Sequence, residues 1–262
     1  MPRFSANLSL LFTELPLLER FRAARECGFQ GVEIQFPYDT PAANIKAQID
    51  ITGLELVLFN VPAGDLMKGG EGLAAVPSKR IDFMDAVIKA TEYADILRPK
   101  FINVLPGCCS ETYRLAQYME TFKSNLGHAA DVFFQQGIKT VFEAVNTKDM
   151  PGFLIYNTEQ QIQVLEDLNH PNIYLQYDIY HMQIMGENHR AFFQRYAEKV
   201  GHIQFADAPG RHQPGTGKID FVSLFNAIDA SGYQGWLGAE YRPSVPTRDS
   251  LDWFGRNYRS LA

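Results

Sequence analysis

Glu143, Asp178, Gln204 and Glu240 are the residues of this chain whose types and surroundings could act together chemically. Each carries oxygen among apolar neighbours, in "VFEAVN", "LQYDIYH", "HIQFAD" and "LGAEY". A carboxylate at the end of a buried strand is costly unless something compensates it. Three packed together repel strongly, so one must hold a proton or all must share a divalent cation. The set is hard and oxygen-rich, which suits Mg²⁺ or Mn²⁺. A His in place of Gln204 would turn the preference toward Zn²⁺ or Co²⁺. Paired carboxylates can also move protons to and from carbon, one as base and one as acid. For any single one, a salt bridge or a helix cap is the alternative; recurrence on successive strands points to a metal or acid/base site.

The elements that must position them form a regular series. Strand-like runs fall at 3–10, 31–36, 55–60, 100–107, 139–146, 172–181, 201–207 and 235–241, several nearly continuous in apolar residues, as in strands buried on both faces. Amphipathic helical segments lie at 15–28, 78–97, 111–137, 158–169, 187–200 and 220–232, with a tail from about Pro246. Gly28 reads as a C-cap, Thr158 as a cap signal and Asp220 as the cap of the last long helix. Eight strands alternating with helices in a chain of 262 residues match an α/β fold, a single (β/α)8 barrel over 1–262. The competing doubly wound sheet usually needs a Gly-rich phosphate turn after the first strand, and "ANLSLLFTELP" has none. No linker divides the chain. In a barrel the C-terminal strand ends converge, so the four oxygen-bearing residues meet there.

Further residues fall near that face. His181, three beyond Asp178, reads as a hydrogen-bond partner of a substrate or as a supporting group. Arg211 and His212, in "APGRHQPG", follow the seventh strand, where a guanidinium could grip a carboxylate with two hydrogen bonds or stay solvated. Asn7 and Asn60 end strands one and three and either line the pocket or hold loops. The Gly-rich 61–80 loop is either a lid or a surface insertion. "PGTGK" lacks the spacing of a phosphate loop and reads as a turn before the Asp220 helix. His128, His170 and His189 fall on helices, and His202 opens its strand far from the mouth; none is assigned to the site. Cys108 and Cys109 show no partner that would lower a thiol pKa.

The totals exclude other classes. Net charge is −6 and pI about 5.5, so nucleic acid would meet a repulsive average field. Three cysteines without a CxxC argue for a reducing compartment and against a thiolate zinc site. No signal-peptide pattern and no run of membrane-spanning length is visible, so a soluble, cytoplasmic protein is expected.

The segments "RFSANLSLLF", "GVEIQFPYD", "NVPAGD", "FEAVN", "QYDIYHMQ", "HIQFADAPGRHQPGTGKIDF" and "GYQGWLGAEYRP" carry a resemblance nearly end to end. The chain resembles the hydroxypyruvate isomerases, within the wider group of xylose isomerase-like barrels that includes the ketose 3-epimerases. The resemblance implies that Glu143 and Glu240 are the acid/base pair and that Glu143, Asp178, Gln204 and Glu240 surround a metal. Many of the epimerases have His where this chain has Gln204. It also implies a small anionic hydroxy-oxo acid as substrate, with hydroxypyruvate and tartronate semialdehyde interconverted through an enediolate and no nucleotide cofactor. A 2-oxo-tetronate isomerase or a ketose 3-epimerase is the chemical alternative. A metal-dependent abasic-site endonuclease would need more His ligands and a basic groove, and a non-catalytic sugar-acid binding protein would have no use for Glu143 and Glu240. Homo-oligomers are common among such barrels.

Overall fold

The computed structural model describes residues 3–255; residues 1–2 and 256–262 of the single domain expected over 1–262 lie outside it. The strands are β1 (Arg3–Asn7), β2 (Gly31–Ile34), β3 (Glu55–Asn60), β4 (Phe101–Asn103), β5 (Lys139–Glu143), β6 (Ile173–Asp178), β7 (Val200–Phe205) and β8 (Trp236–Ala239). All pair in parallel and in chain order, and β8 pairs with β1 to close the barrel. Around it lie α1 (Leu17–Glu26), α2 (Ala42–Thr52), α3 (Arg80–Leu97), α4 (Leu115–Gln135), α5 (Thr158–Leu168), α6 (Ile179–Ile184), α7 (His189–Tyr196), α8 (Phe221–Ala230) and α9 (Asp252–Gly255). The expected (β/α)8 barrel is the observed fold.

Successive strand residues point to opposite faces, and the two faces carry different chemistry. Phe4, Ala6, Val32, Ile34, Phe142, Leu175, Tyr177, Ile203, Phe205, Leu237 and Ala239 belong to the large core that the helices cover. A separate small cluster of Val57, Leu58, Phe101, Val141 and Trp236 forms an apolar plug. A Cβ at Gly31 would lie 2.7 Å from Val57 and 2.8 Å from Trp236, so glycine makes room for that plug. The alternation then carries Glu33, Gln176, His202 and Gly238 to the layer above it. Asn7, Glu143, Asp178, Gln204 and Glu240 lie at or near the C-terminal ends of their strands.

Several boundaries differ from expectation for local reasons. The apolar run 172–181 does not continue as strand past Asp178, because the Asp178 side chain accepts from the backbone N–H of His181 and starts α6. The caps of α5 and α8 are Asn157, which accepts from Gln160 N–H, and Asp220, which accepts from Ser223 N–H; Thr158 is already helical. Helix α2 is an element that the apolar pattern did not single out. It begins after Pro41, a residue compatible with a helix start, and ends on Gly53 at φ +65°.

Candidate active site

Glu143 ends β5, Asp178 ends β6, Gln204 is the penultimate residue of β7, and Glu240 follows β8 by one residue. The register sets Asp178 beside Gln204, and Gln204 beside Gly238. Glu143, Gln204 and Glu240 line one cavity of about 80 Å³, together with Gln35, Asn60, Asp149, Gln176, His181 and Arg211. Asp178 stands at its back, in contact with His181 and Arg211. A larger hollow of about 750 Å³ opens at the opposite end of the barrel, against Tyr174 and Trp236, away from all of these carboxylates.

The two glutamates are held very differently. Glu240 accepts three hydrogen bonds, from Asn7 Nδ2 and Gln35 Nε2, each at 2.9 Å, and from Arg211 Nη2 at 2.6 Å. Glu143 accepts one, from Asn103 Nδ2 at 2.8 Å, and that amide also donates to Asn60 Oδ1 at 3.1 Å. Both carboxyls are pushed up, in each case chiefly by burial. Glu143 reaches about 8, with repulsion from Glu240 and Asp178 adding to the effect. Glu240 is raised less, to about 7, because the Arg211 cation opposes burial. The Arg211 ion pair and two amide donors favour the ionised form of Glu240, whereas Glu143 has a single amide donor.

Arg211 stands among the carboxylates, 3.7 Å from Asp178 as well as bonded to Glu240, with its guanidinium over the Tyr180 ring. Burial would lower it, but Glu240, Asp178 and Glu143 outweigh that and keep it charged. Its position depends on the loop after β7. Asp207, fully buried, accepts from the backbone N–H groups of Ala208, Gly215, Gly217 and Ile219. "PGTGK" is thus the part of the loop that wraps a carboxylate. Gly217 is required there, since a Cβ would lie 2.3 Å from the Ala208 carbonyl oxygen.

His181 Nδ1 lies 2.7 Å from Asn146 Nδ2, and Nε2 lies 3.6 Å from Asp178. Burial lowers His181 to about 4, so the ring is neutral. Asn7 does not line the cavity but orients Glu240, and Asn60 lines it at the Asn103 bridge. His212 is not brought to the site: its ring bonds the Arg242 carbonyl at 2.7 Å. Of the 61–80 loop, Leu66 and Met67 reach the cavity wall. His202 is buried and bonded to Glu33 at 2.8 Å. Gln35, Asn103, Asp149, Gln176 and Glu33 were not singled out from the sequence. Strict alternation could have found three of them: Gln176 lies two before Asp178, and Glu33 and Gln35 lie two apart in "GVEIQF".

A divalent cation could be held by a group that contains Glu143 and Asp178 of the expected ligands, with His181 in place of Glu240. Ligand atoms of Glu143, Asp178 and His181 lie within 4.8 Å of one another.

A family model described as "Xylose isomerase-like TIM barrel" matches residues 21–257. A protein of Escherichia coli named hydroxypyruvate isomerase is 41% identical over 253 residues, spanning 97% of this chain and 98% of that one. A 2-oxo-tetronate isomerase of Cupriavidus necator is 38% identical, covering 97% of each chain. A crystal structure from Brucella melitensis described as an AP endonuclease of family 2 superposes with a TM-score of 0.95 at 38% identity, over 99% of this chain and 100% of that one.

Proposed function

This chain belongs to the xylose isomerase-like TIM-barrel family, and from that premise we propose that it interconverts hydroxypyruvate and tartronate semialdehyde by proton transfer between Glu240 and Glu143. The observation that carries the assignment is the unequal partnering of two buried glutamates facing one cavity, beside a partly buried arginine. The substrate carboxylate takes Arg211 as its partner, which releases Glu240 Oε2. Glu240, oriented by Asn7 and Gln35, removes a proton from C3 as general base, giving an enediolate. Glu143, oriented by Asn103, delivers a proton to C2. The proton of the C3 hydroxyl passes to the oxygen on C2, and the carbonyl has moved by one carbon. Glu143, Asp178, Glu240 and the Gln204 carbonyl oxygen would hold a divalent cation. Such an ion, when bound, supplies Lewis-acid stabilisation of negative charge on the substrate oxygens. Hard oxygen donors favour Mg²⁺ or Mn²⁺.

The 38% identity to 2-oxo-tetronate isomerases supports a second reading, with a four-carbon acid in the same cavity and the same proton transfers. A nuclease reading is disfavoured by the net charge of −6 and by a cavity of only about 80 Å³. No helix among the described residues is long and apolar enough to cross a membrane. The cytoplasmic assignment rests on cysteine usage, which includes the free thiols of Cys108 and Cys109. The test is a progress-curve screen of hydroxypyruvate against four-carbon oxo acids and free ketoses, with each divalent ion in turn. Turnover of a short hydroxy-oxo acid supports the reading. Turnover of free ketoses alone, or of none of these, overturns it.

A further inference from the structure

Below the two glutamates lies a chain of polar side chains to which the proton transfers assign no role. Glu33, on β2, is fully buried inside the barrel. Two donors converge on its carboxylate, Ser5 Oγ at 2.5 Å and Gln204 Nε2 at 2.8 Å, and His202 Nε2 lies 2.8 Å from it. Gly238 makes space for it, since a Cβ there would lie 2.0 Å from Glu33 Oε1. A carboxylate so surrounded is an acceptor only, and this fixes which end of its neighbour faces it. Gln204 must present its NH₂ to Glu33 and its carbonyl oxygen away. That oxygen accepts from Gln176 Nε2 at 2.6 Å. Gln176 must in turn present its own carbonyl oxygen away from Gln204. Gln176 is 1% exposed and lines the cavity, and its Oε1 has no hydrogen-bond partner among the described residues.

Resting on the isomerase reading above, we infer that Gln176 recognises a hydroxyl of the substrate, with the polarity of its amide dictated by Glu33 through Gln204. A buried carbonyl oxygen without a donor is unfavourable, and a hydroxyl O–H satisfies it. A carbonyl or carboxylate oxygen at that point would meet an acceptor and be rejected. The arrangement therefore divides recognition within one small molecule: Arg211 takes the carboxylate, and Gln176 takes the hydroxyl. Sites built to hydrogen-bond a substrate hydroxyl discriminate against the analogue that lacks it, because the protein group is then left unpaired.

The test uses two unreactive acids that differ in one hydroxyl, D-glycerate and D-lactate, titrated calorimetrically into wild type, Gln176→Leu and Glu33→Gln. Wild type is expected to bind D-glycerate roughly tenfold more tightly than D-lactate, the worth of one hydrogen bond to a buried acceptor. In Gln176→Leu the ratio falls to about one while D-lactate affinity stays within roughly twofold. In Glu33→Gln, whose amide can donate as well as accept, the chain polarity is no longer fixed and the ratio falls in the same direction. Circular dichroism confirms that each variant is folded. If Glu33→Gln fails to fold, Gln176→Leu at the cavity edge decides alone. A folded Gln176→Leu that keeps the tenfold ratio overturns the inference, as does a wild type with no preference. A wild type that binds neither acid and isomerises no hydroxy-oxo acid overturns the functional reading itself, and with it this one.

Discussion

Replacing Arg211 by Met removes the guanidinium while keeping most of the side-chain volume, and the structure gives two separable consequences. The first concerns binding. Arg211 is mostly buried and makes a charge-assisted bond of 2.6 Å to Glu240 in the free enzyme. The substrate carboxylate replaces that partner. Losing a hydrogen bond to a charged group costs about 2 kcal/mol, which is roughly a 30-fold loss in kcat/KM. The second concerns ionisation. Burial pushes Glu240 up to about 7, and Arg211 is the largest influence holding it down. The general base must be ionised, so kcat/KM rises with pH through the Glu240 titration. Without Arg211 the carboxyl is raised further, and this acid limb moves to higher pH. The assay is the pH dependence of kcat/KM for hydroxypyruvate in wild type, Arg211→Met and Arg211→Lys. The Lys variant keeps a charge but not the fork, and falls between the other two. A Met variant with unchanged kcat/KM and an unmoved acid limb would refute both the binding role and the electrostatic coupling.

Three further outcomes follow from other parts of the site. Asp207→Ala leaves four backbone donors without their acceptor, and for the buried one, Ala208 N–H, that costs about 1–3 kcal/mol if unsatisfied, so both Tm and the positioning of Arg211 should suffer; a Tm and KM equal to wild type would contradict the anchoring role. Gly238→Ala drives a methyl into Glu33 Oε1 and should cost about 2 kcal/mol by overpacking, seen as a Tm several degrees lower; an unchanged melt would show that Glu33 can move freely. Chelated enzyme should lose stability as pH rises from about 4.5 to about 8, because the native state then binds more protons at Glu143 and Glu240 than the unfolded chain does; Mg²⁺ or Mn²⁺ should counter that loss and restore activity, and a flat melting profile with activity indifferent to chelation would contradict it.

The strand ends were legible in the sequence because a carboxylate inside an apolar run is rare and costly. Glu143, Asp178 and Glu240 stood out for that reason, and barrel topology supplied the convergence. The layer beneath was less legible. Glu33 and Gln176 alternate with apolar Val32, Ile34, Leu175 and Tyr177, which belong to the core under the helices, so each strand reads as buried on both faces. The depth of a polar residue inside the barrel depends on register, which shifts at Val32/Glu33 and at Leu175/Gln176 and cannot be read from one strand alone. Helix α2 escaped notice because Ile51 is exposed and blurs its apolar face. Asp178 shows the limit of periodicity most clearly. In "IYLQYDIYH" apolar residues flank Asp178 on both sides, and the side-chain cap at His181 N–H decides where strand gives way to helix. Arg211 and His212 are adjacent in sequence, yet one reaches the carboxylates and the other turns to a carbonyl at the rim. The fold of the Asp207 loop, with Arg211 at φ +57°, makes that choice.

The measurement that bears most directly on the chemistry is solvent deuterium incorporation, read by NMR on product formed from hydroxypyruvate in D₂O by wild type and by Glu240→Gln. Proton transfer through two carboxylates predicts product labelled at the carbon that gains hydrogen, and neither turnover nor label in a folded Glu240→Gln. Unlabelled product from wild type, together with near-normal turnover by Glu240→Gln, would contradict it.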